Sequence, residues 1–195
     1  PGSNCRLGSG VAPGRAMRDA GVAVGLGVDG SASNDSGSLI TEARQAMLMQ
    51  RVASGADAMS AREALEVATL GGAEVLGRGE LGSIEVGKRA DFVLWDTAAL
   101  PMAGAWDPGA ALILCGPVAP REVWVEGKEV VQDGQLVGLD AGKLAEDAAA
   151  LPRGLARDAA SGRRLADGPA VEAGAEGEGG KLDDHAERQL LQPLE

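Results

Sequence analysis

Aromatic residues and histidine are scarce in this sequence, which has no Tyr, one Phe, three Trp and a single His. A hydrophobic core must therefore be built from Val, Leu, Ile, Met and Ala. The one histidine, His185, lies in a polar segment, so a histidine-rich metal site cannot be assembled from these residues alone. The two cysteines, Cys5 and Cys115, lack the spacing of a zinc knuckle or a disulfide framework. We predict two reduced, partly buried thiols.

Basic residues are also few: 18 Lys and Arg stand against 29 Asp and Glu, which gives a net charge of −11. This balance excludes a general affinity for the nucleic-acid backbone. No apolar run approaches the length needed to span a membrane. We therefore expect neither nucleic acid nor membrane as a partner, and a cytoplasmic location. The opening residues 1–4 contain no Met and read as the interior of a longer protein.

The first half of the chain alternates between helical and extended patterns. A short helix is predicted within residues 11–20, where Gly21 ends it. The apolar run 22–28 predicts a strand with both faces covered, as in a parallel sheet. A small polar loop over residues 30–37 then precedes an amphipathic helix over residues 38–53.

The next element begins with a capping box at residues 60–63, which predicts a helix that reaches about residue 72. The elements predicted after it are strands over 92–96, 111–115, 122–126 and 129–132, the last two forming a hairpin, and a helix over 141–151. This order indicates the end of an α/β domain followed by a small β module. We expect four segments: the last strands and helices of an α/β domain over 1–80, a β module over 81–138, a C-terminal helix over 139–156 and a mostly disordered tail over 157–195.

Asp29 is the sharpest chemical feature of the sequence, because it directly follows the predicted strand and precedes Gly30. In a (β/α)8 barrel the carboxyl ends of the strands form the active-site face. An acid placed there is able to ligate a metal and to take a proton from metal-bound water. An Asp at a strand end is equally typical of a loop or a helix N-cap, and spacing alone favours that structural role.

Four sequence blocks carry a resemblance to a known family. They are SNCRLGSGVAP at 3–13, VDGSASND at 28–35, GSIEVGKRADFVLWD at 82–96 and GKEVV at 127–131. In this order they resemble, respectively, the strand-seven loop, the strand-eight loop, the return to a β-sandwich and the final hairpin of amidohydrolase-superfamily deaminases. Within that superfamily, GVDGSASNDS and the stretch 103–117 look most like 8-oxoguanine deaminases. Hydroxytriazine amidohydrolases and adenosine-homologue deaminases are also similar.

The resemblance implies an α/β fold: the C-terminal portion of a (β/α)8 metal-dependent hydrolase barrel plus part of a small composite β-sandwich. It further implies hydrolytic deamination of a purine-like ring, such as 8-oxoguanine, in the full-length parent. One divalent metal, zinc or Fe²⁺, would be bound by Asp29 and by histidines from upstream sequence. Asp29 would accept the water proton and pass it to the leaving ammonia. The chain by itself is then expected to be inactive.

The two loops of the resemblance also supply candidate substrate-binding residues: Asn4, Arg6, Ser31, Ser33 and Asn34, with Asp35 beside them. Each has a structural alternative, because short polar residues also satisfy loop backbone groups and Arg6 is suited to a salt bridge within the loops. Three functions stay open: an aminopurine deaminase, a triazine-ring amidohydrolase, and a non-catalytic scaffold or binding protein. The expected ligand is a small aminopurine or a related heterocycle. The oligomeric state of the parent is left open, a homo-oligomer included.

Overall fold

The computed structural model describes residues 1–116 and 118–160, so His185 and most of the predicted tail lie outside the described residues. The chain divides into two compact units, Pro1–Leu144 and Ala145–Glu195. The helices are α1 Gly2–Leu7, α2 Gly14–Asp19, α3 Leu39–Ser54, α4 Ala61–Glu66, α5 Gly72–Val75, α6 Pro108–Leu114 and α7 Ala141–Ala160, and a π-helical turn Val67–Gly71 joins α4 to α5. The strands are β1 Phe92–Leu94, β2 Glu122–Val125, β3 Lys128–Gln132 and β4 Gln135–Leu136.

The hydrophobic core of the first unit lies where α3, α4 and α6 pack together. Ala43 and Met47 of α3 and Ala64 of α4 are completely buried, and Ile113 of α6 is 1% exposed. They are the aliphatic and methionine side chains that the near absence of aromatic residues leads us to expect. Burial of this cluster removes apolar area from water, which is the dominant favourable term in folding.

Two helix starts follow directly from local sequence. The Ser38 hydroxyl accepts a hydrogen bond from the Thr41 N–H, which places the start of α3 where its amphipathic pattern begins. At α4, Ser60 and Glu63 form both hydrogen bonds of a capping box. Both predicted helices are therefore confirmed.

The predicted strand over residues 22–28 is not formed. The four-stranded sheet contains β1 to β4, and no described segment pairs with residues 22–28. Val22 is 49% exposed, so the expected cover on both faces is also missing among the described residues. The physical reason is that an apolar run becomes a strand only when a neighbour accepts and donates its ladder hydrogen bonds.

Three further local predictions are corrected by the structure. Residues 111–115, predicted as a strand, lie mainly in α6, because the Asp107 side chain accepts from the N–H groups of Gly109 and Ala110 and Pro108 occupies the first turn. The segment that resembles a loop at the start of the chain contains α1, which Gly8 ends with φ 67. Both cysteine thiols are exposed rather than partly buried.

The β module is an antiparallel sheet in the order β1-β2-β3-β4. Phe92 pairs with Trp124 across β1 and β2, and their rings stack with centroids 5.7 Å apart. The predicted hairpin is confirmed, with its turn at Glu126 and Gly127, whose φ angles are 49 and 75. Positive φ at both residues is typical of the tight turn that matches strand twist.

The last helix, α7, spans Ala141–Ala160 and so continues past residue 151, where the helical pattern was expected to end. Residues 157–160, expected to begin the tail, lie in this helix. Among the described residues, no helix is long and apolar enough to cross a membrane.

Candidate functional site

Asp29 lies at the rim of a cavity of ≈ 250 Å³ in the first unit. Its backbone has φ 60, a left-handed conformation that few non-glycine residues adopt and that Asp tolerates better than most. The residue is exposed, and it ends the segment 22–28, which forms one wall of the cavity. Asp29 is therefore both exposed to solvent and part of the cavity lining.

The carboxylate of Asp29 accepts a hydrogen bond from the Ser3 hydroxyl. Ser3 belongs to α1 and is 7% exposed, so the helix holds the donor in a nearly buried position. Asn4, the next residue of α1, also lines the cavity. The short helix thus places the Ser3 side chain on the carboxylate and Asn4 at the cavity.

The remaining cavity wall is mainly apolar, with Leu26, Met59 and Val67 among its residues. Val67 is the first residue of the π-helical turn, and Met59 precedes the capping box of α4. Gln50 of α3 is a polar exception, but its side chain accepts from the Arg15 N–H at 2.9 Å and donates to the Ala12 carbonyl at 2.9 Å. An apolar cavity with a few convergent polar groups is typical of proteins that bind small molecules.

The other predicted site residues lie elsewhere or are engaged by the loop itself. Arg6 forms an ion pair with Asp35, and both side chains are largely exposed to solvent. Ser31 is exposed, and the Ser33 hydroxyl donates to the Gly30 carbonyl at 3.2 Å. None of these four side chains lines the cavity that Asn4 and Asp29 share. Arg6 is therefore observed in the salt bridge that was considered as the alternative to a substrate contact.

Asn34 is buried, and its amide is committed to neighbouring groups. Its Nδ2 donates to the Val28 carbonyl at 2.8 Å and to Glu42 Oε1 at 2.8 Å. Its Oδ1 accepts from Ser36, at 3.3 Å to both the backbone N–H and the hydroxyl. In this geometry Asn34 holds the loop together, which is the local role considered for these polar residues.

Glu42 is a residue of this region that the sequence reasoning missed. It is 1% exposed, and besides Asn34 it accepts from the Gly2 N–H at 2.8 Å. Burial raises the pKa of Glu42, whereas its hydrogen bonds with Gly2 and Asn34 lower it. The signal was present: Glu42 stands on the same helical stripe as Ala43 and the core positions that follow it.

The metal implied by the resemblance is only partly matched by the residues present. Within residues 1–116 and 118–160, no three His, Cys, Asp or Glu side chains come close enough together to hold a metal ion. Asp29 offers a hard oxygen donor of the kind that divalent ions accept, and Ser3 occupies one of its two oxygens. The described residues therefore fit one ligand position and do not form a complete site.

Comparison with known proteins assigns the chain to a family. The model of the amidohydrolase family matches residues 1–130. This chain therefore belongs to the amidohydrolase family. The match includes both blocks around the cavity, the segment that carries Asp29, the strands β1 and β2, and the first three residues of β3.

Individual relatives agree with this assignment. The chain is 44% identical over 144 residues to the 8-oxoguanine deaminase of Pseudomonas aeruginosa, covering 74% of this chain and 32% of that protein. It is 37% identical over 160 residues to a 5-methylthioadenosine/S-adenosylhomocysteine deaminase of Bacillus thuringiensis, covering 80% and 37%. A crystal structure of atrazine chlorohydrolase from Arthrobacter aurescens TC1, complexed with zinc, is similar with a TM-score of 0.72 and 38% identity, covering 77% of this chain and 34% of that one.

These similarities give the chain the α/β fold of the amidohydrolases. The chain spans about a third of the length of the relatives it matches. The segment that carries Asp29 is therefore one part of a larger fold in those relatives.

Proposed function

We propose that this chain is the C-terminal part of a metal-dependent hydrolytic deaminase that acts on an aminopurine of the 8-oxoguanine type. Residues 1–80 would be the last strands and helices of a (β/α)8 barrel, and residues 81–138 would belong to a composite β-sandwich. The observation that supports this best is the placement of Asp29 at an apolar cavity, in a chain 44% identical to an 8-oxoguanine deaminase. Residues 22–28 would become a barrel strand when neighbouring strands supply their ladder partners.

Asp29 would act as the proton carrier of the reaction. The oxygen of a water molecule attacks the ring carbon that bears the amino group, and an Asp29 carboxylate oxygen takes the proton that water loses. The bond from that carbon to nitrogen then breaks, and Asp29 returns the proton to the leaving nitrogen, which departs as ammonia. The remaining hydroxyl proton passes to the neighbouring ring nitrogen, so the products are the oxo-purine and ammonia.

A divalent ion, with zinc as the candidate because a relative is crystallised with it, would lower the pKa of the attacking water. Asp29 would supply one of its ligands, and histidines from outside this chain would supply the others. The Ser3 hydrogen bond occupies one carboxylate oxygen and fixes the direction of the other. Asn4, on the same cavity, would contact the heterocycle; contacts from Arg6, Ser31, Ser33 and Asn34 to the substrate remain predictions.

The experiment uses the complete protein that contains this chain, purified with its metal, and measures ammonia release from 8-oxoguanine. Asp29→Asn keeps the size of the side chain and removes its charge. We expect kcat to fall at least about 100-fold, because a proton acceptor contributes on the order of 10²–10⁴-fold. Asp19→Asn is the matched control, since Asp19 pairs with Arg15 on the exposed side of α2. Equal activity of the two variants would contradict the proposed role of Asp29.

Two other functions are separated by the same preparation. A triazine-ring amidohydrolase is favoured by the structural similarity to atrazine chlorohydrolase, at a TM-score of 0.72. Parallel assays with 8-oxoguanine, S-adenosylhomocysteine and a hydroxytriazine, compared by kcat/KM, decide among the ring types. A protein that binds one of these rings and releases no ammonia from any of them would be a non-catalytic scaffold or binding protein.

A further inference from the structure

Glu42 joins the two segments that meet at Asp29. One carboxylate oxygen, Oε2, accepts from the N–H of Gly2, the residue before Ser3. The other, Oε1, accepts from Asn34 Nδ2. Both oxygens of this buried carboxylate therefore accept hydrogen bonds. The two donors, Gly2 and Asn34, lie 40 and 8 residues from Glu42 in sequence.

The hydrogen bonds then close into a ring around Asp29. Asn34 Nδ2 also donates to the carbonyl of Val28, the residue before Asp29, at 2.8 Å. Ser3, the residue after Gly2, donates to the Asp29 carboxylate. The backbone on each side of the Ser3–Asp29 hydrogen bond is thus fastened, directly or through Asn34, to one carboxylate.

The base of this ring is rigid. Glu42 is followed on α3 by Ala43 and Met47, both with no exposure to solvent. Gly2 has no side chain, and a Cβ there would lie inside contact distance of Glu42 Oε1, so any larger residue would force the Glu42 carboxylate to shift. Asp29 itself has φ 60, a conformation that persists when surrounding contacts determine it.

We propose that Glu42 is a positioning residue for Asp29. Resting on the function proposed above, it holds α1 and the Asp29 loop at a fixed separation, so that the carboxylate keeps the direction from which it exchanges a proton. Glu42 does not line the cavity and is not expected to touch substrate. Its loss is therefore expected to lower kcat more than it raises KM, which changes only as far as Asn4 on α1 moves with Gly2.

The test is Glu42→Gln in the complete protein. The amide turns one acceptor oxygen into a donor, which then faces either the Gly2 N–H or the Asn34 amide group. We expect kcat to fall about 10- to 100-fold, since small misplacements of a catalytic group cost up to about that much. KM is expected to stay within about twofold. Glu63→Gln, the same change in the capping box of α4, controls for a general loss of stability.

Hydrogen exchange supplies a readout that does not depend on activity. Peptides over residues 1–8 and 26–36 are expected to exchange faster in Glu42→Gln and at the wild-type rate in Glu63→Gln. Unchanged exchange, or an unchanged kcat per folded molecule, overturns the proposal. An inactive wild-type protein would refute the proposed function, whereas the exchange comparison would still decide whether Glu42 orders the two segments.

If Glu42→Gln does not fold, Asn34→Ala is the second test. It removes the amide that links Glu42 to the Val28 carbonyl and so breaks the same ring of hydrogen bonds. A lower kcat with KM unchanged, together with faster exchange over residues 26–36, supports the proposal. A higher KM with kcat unchanged would make Asn34 a substrate contact and would overturn it.

Discussion

Gly71 offers a sharp test of how the segment that carries Asp29 is seated. A Cβ at Gly71 would stand closer than 3.0 Å to the carbonyl oxygen of Val24 and 3.3 Å from its carbonyl carbon. Both atoms belong to backbone, so they are unable to rotate away as a flexible side chain would. Gly71→Ala must therefore displace either the segment 22–28 or the π-helical turn.

The neighbouring Gly72 provides a matched control. Gly71 and Gly72 have nearly the same helical backbone angles, with φ −61 at both and ψ −40 and −44. Alanine gains about 1 kcal/mol of helix propensity at either position, and this gain cancels when the two variants are compared. A Cβ at Gly72 meets nothing within 4 Å, so the difference between the variants isolates the overlap with Val24.

We expect Gly71→Ala to have a free energy of unfolding about 1–3 kcal/mol or more below that of Gly72→Ala, the range measured for overpacked sites. Urea unfolding followed by circular dichroism measures this difference, and thermal unfolding checks it at about 2–4 °C per kcal/mol for a domain of this size. Equal stability of the two variants would refute the close approach of Val24 to the turn.

Two further predictions concern stability. Ile113→Ala removes a side chain that is 1% exposed and should lower the free energy of unfolding by about 2–5 kcal/mol. Ile84→Ala, at an 82% exposed position, is the control and should change it by less than about 0.5 kcal/mol. Similar losses at both positions would show that Ile113 is not part of the core. Hydrogen bonds from Ser60 lower the pKa of Glu63, so this carboxylate contributes stability that is present above its ordinary pKa and is lost as pH falls through its folded pKa. Glu63→Gln should therefore weaken the acid-side decline of unfolding free energy measured by urea titration, and an unaltered decline would contradict the assignment.

The local features of this protein were predictable because their causes lie within a few residues. Ser38 and Ser60 begin helices by bonding to N–H groups three residues on, and sequence spacing alone defines both. The turn at Glu126 and Gly127 likewise needs positive φ that glycine accepts readily. Asp29, which was singled out because it follows an apolar run, lines a cavity. No described segment pairs with the run itself.

Where neighbours distant in sequence decide the outcome, sequence patterns were insufficient. The apolar pattern of residues 111–115 is compatible with either a strand or a helix. The helix is favoured by the cap at Asp107 and by the packing of α6 on α3 and α4. Residues 22–28 show the opposite case: their apolar pattern suits a strand, but a strand exists only with a hydrogen-bonding neighbour.

The sequence by itself determined the starts of α3 and α4, the hairpin and the acid at residue 29, because capping, turn geometry and periodicity act over a few bonds of chain. Tertiary structure alone decided what surrounds that acid. Ser3 lies 26 residues from Asp29, and Gly2 lies 40 from Glu42. Those pairs meet because the helix that carries Glu42 is packed in the core, and no local pattern records which distant N–H or hydroxyl a buried carboxylate will bind.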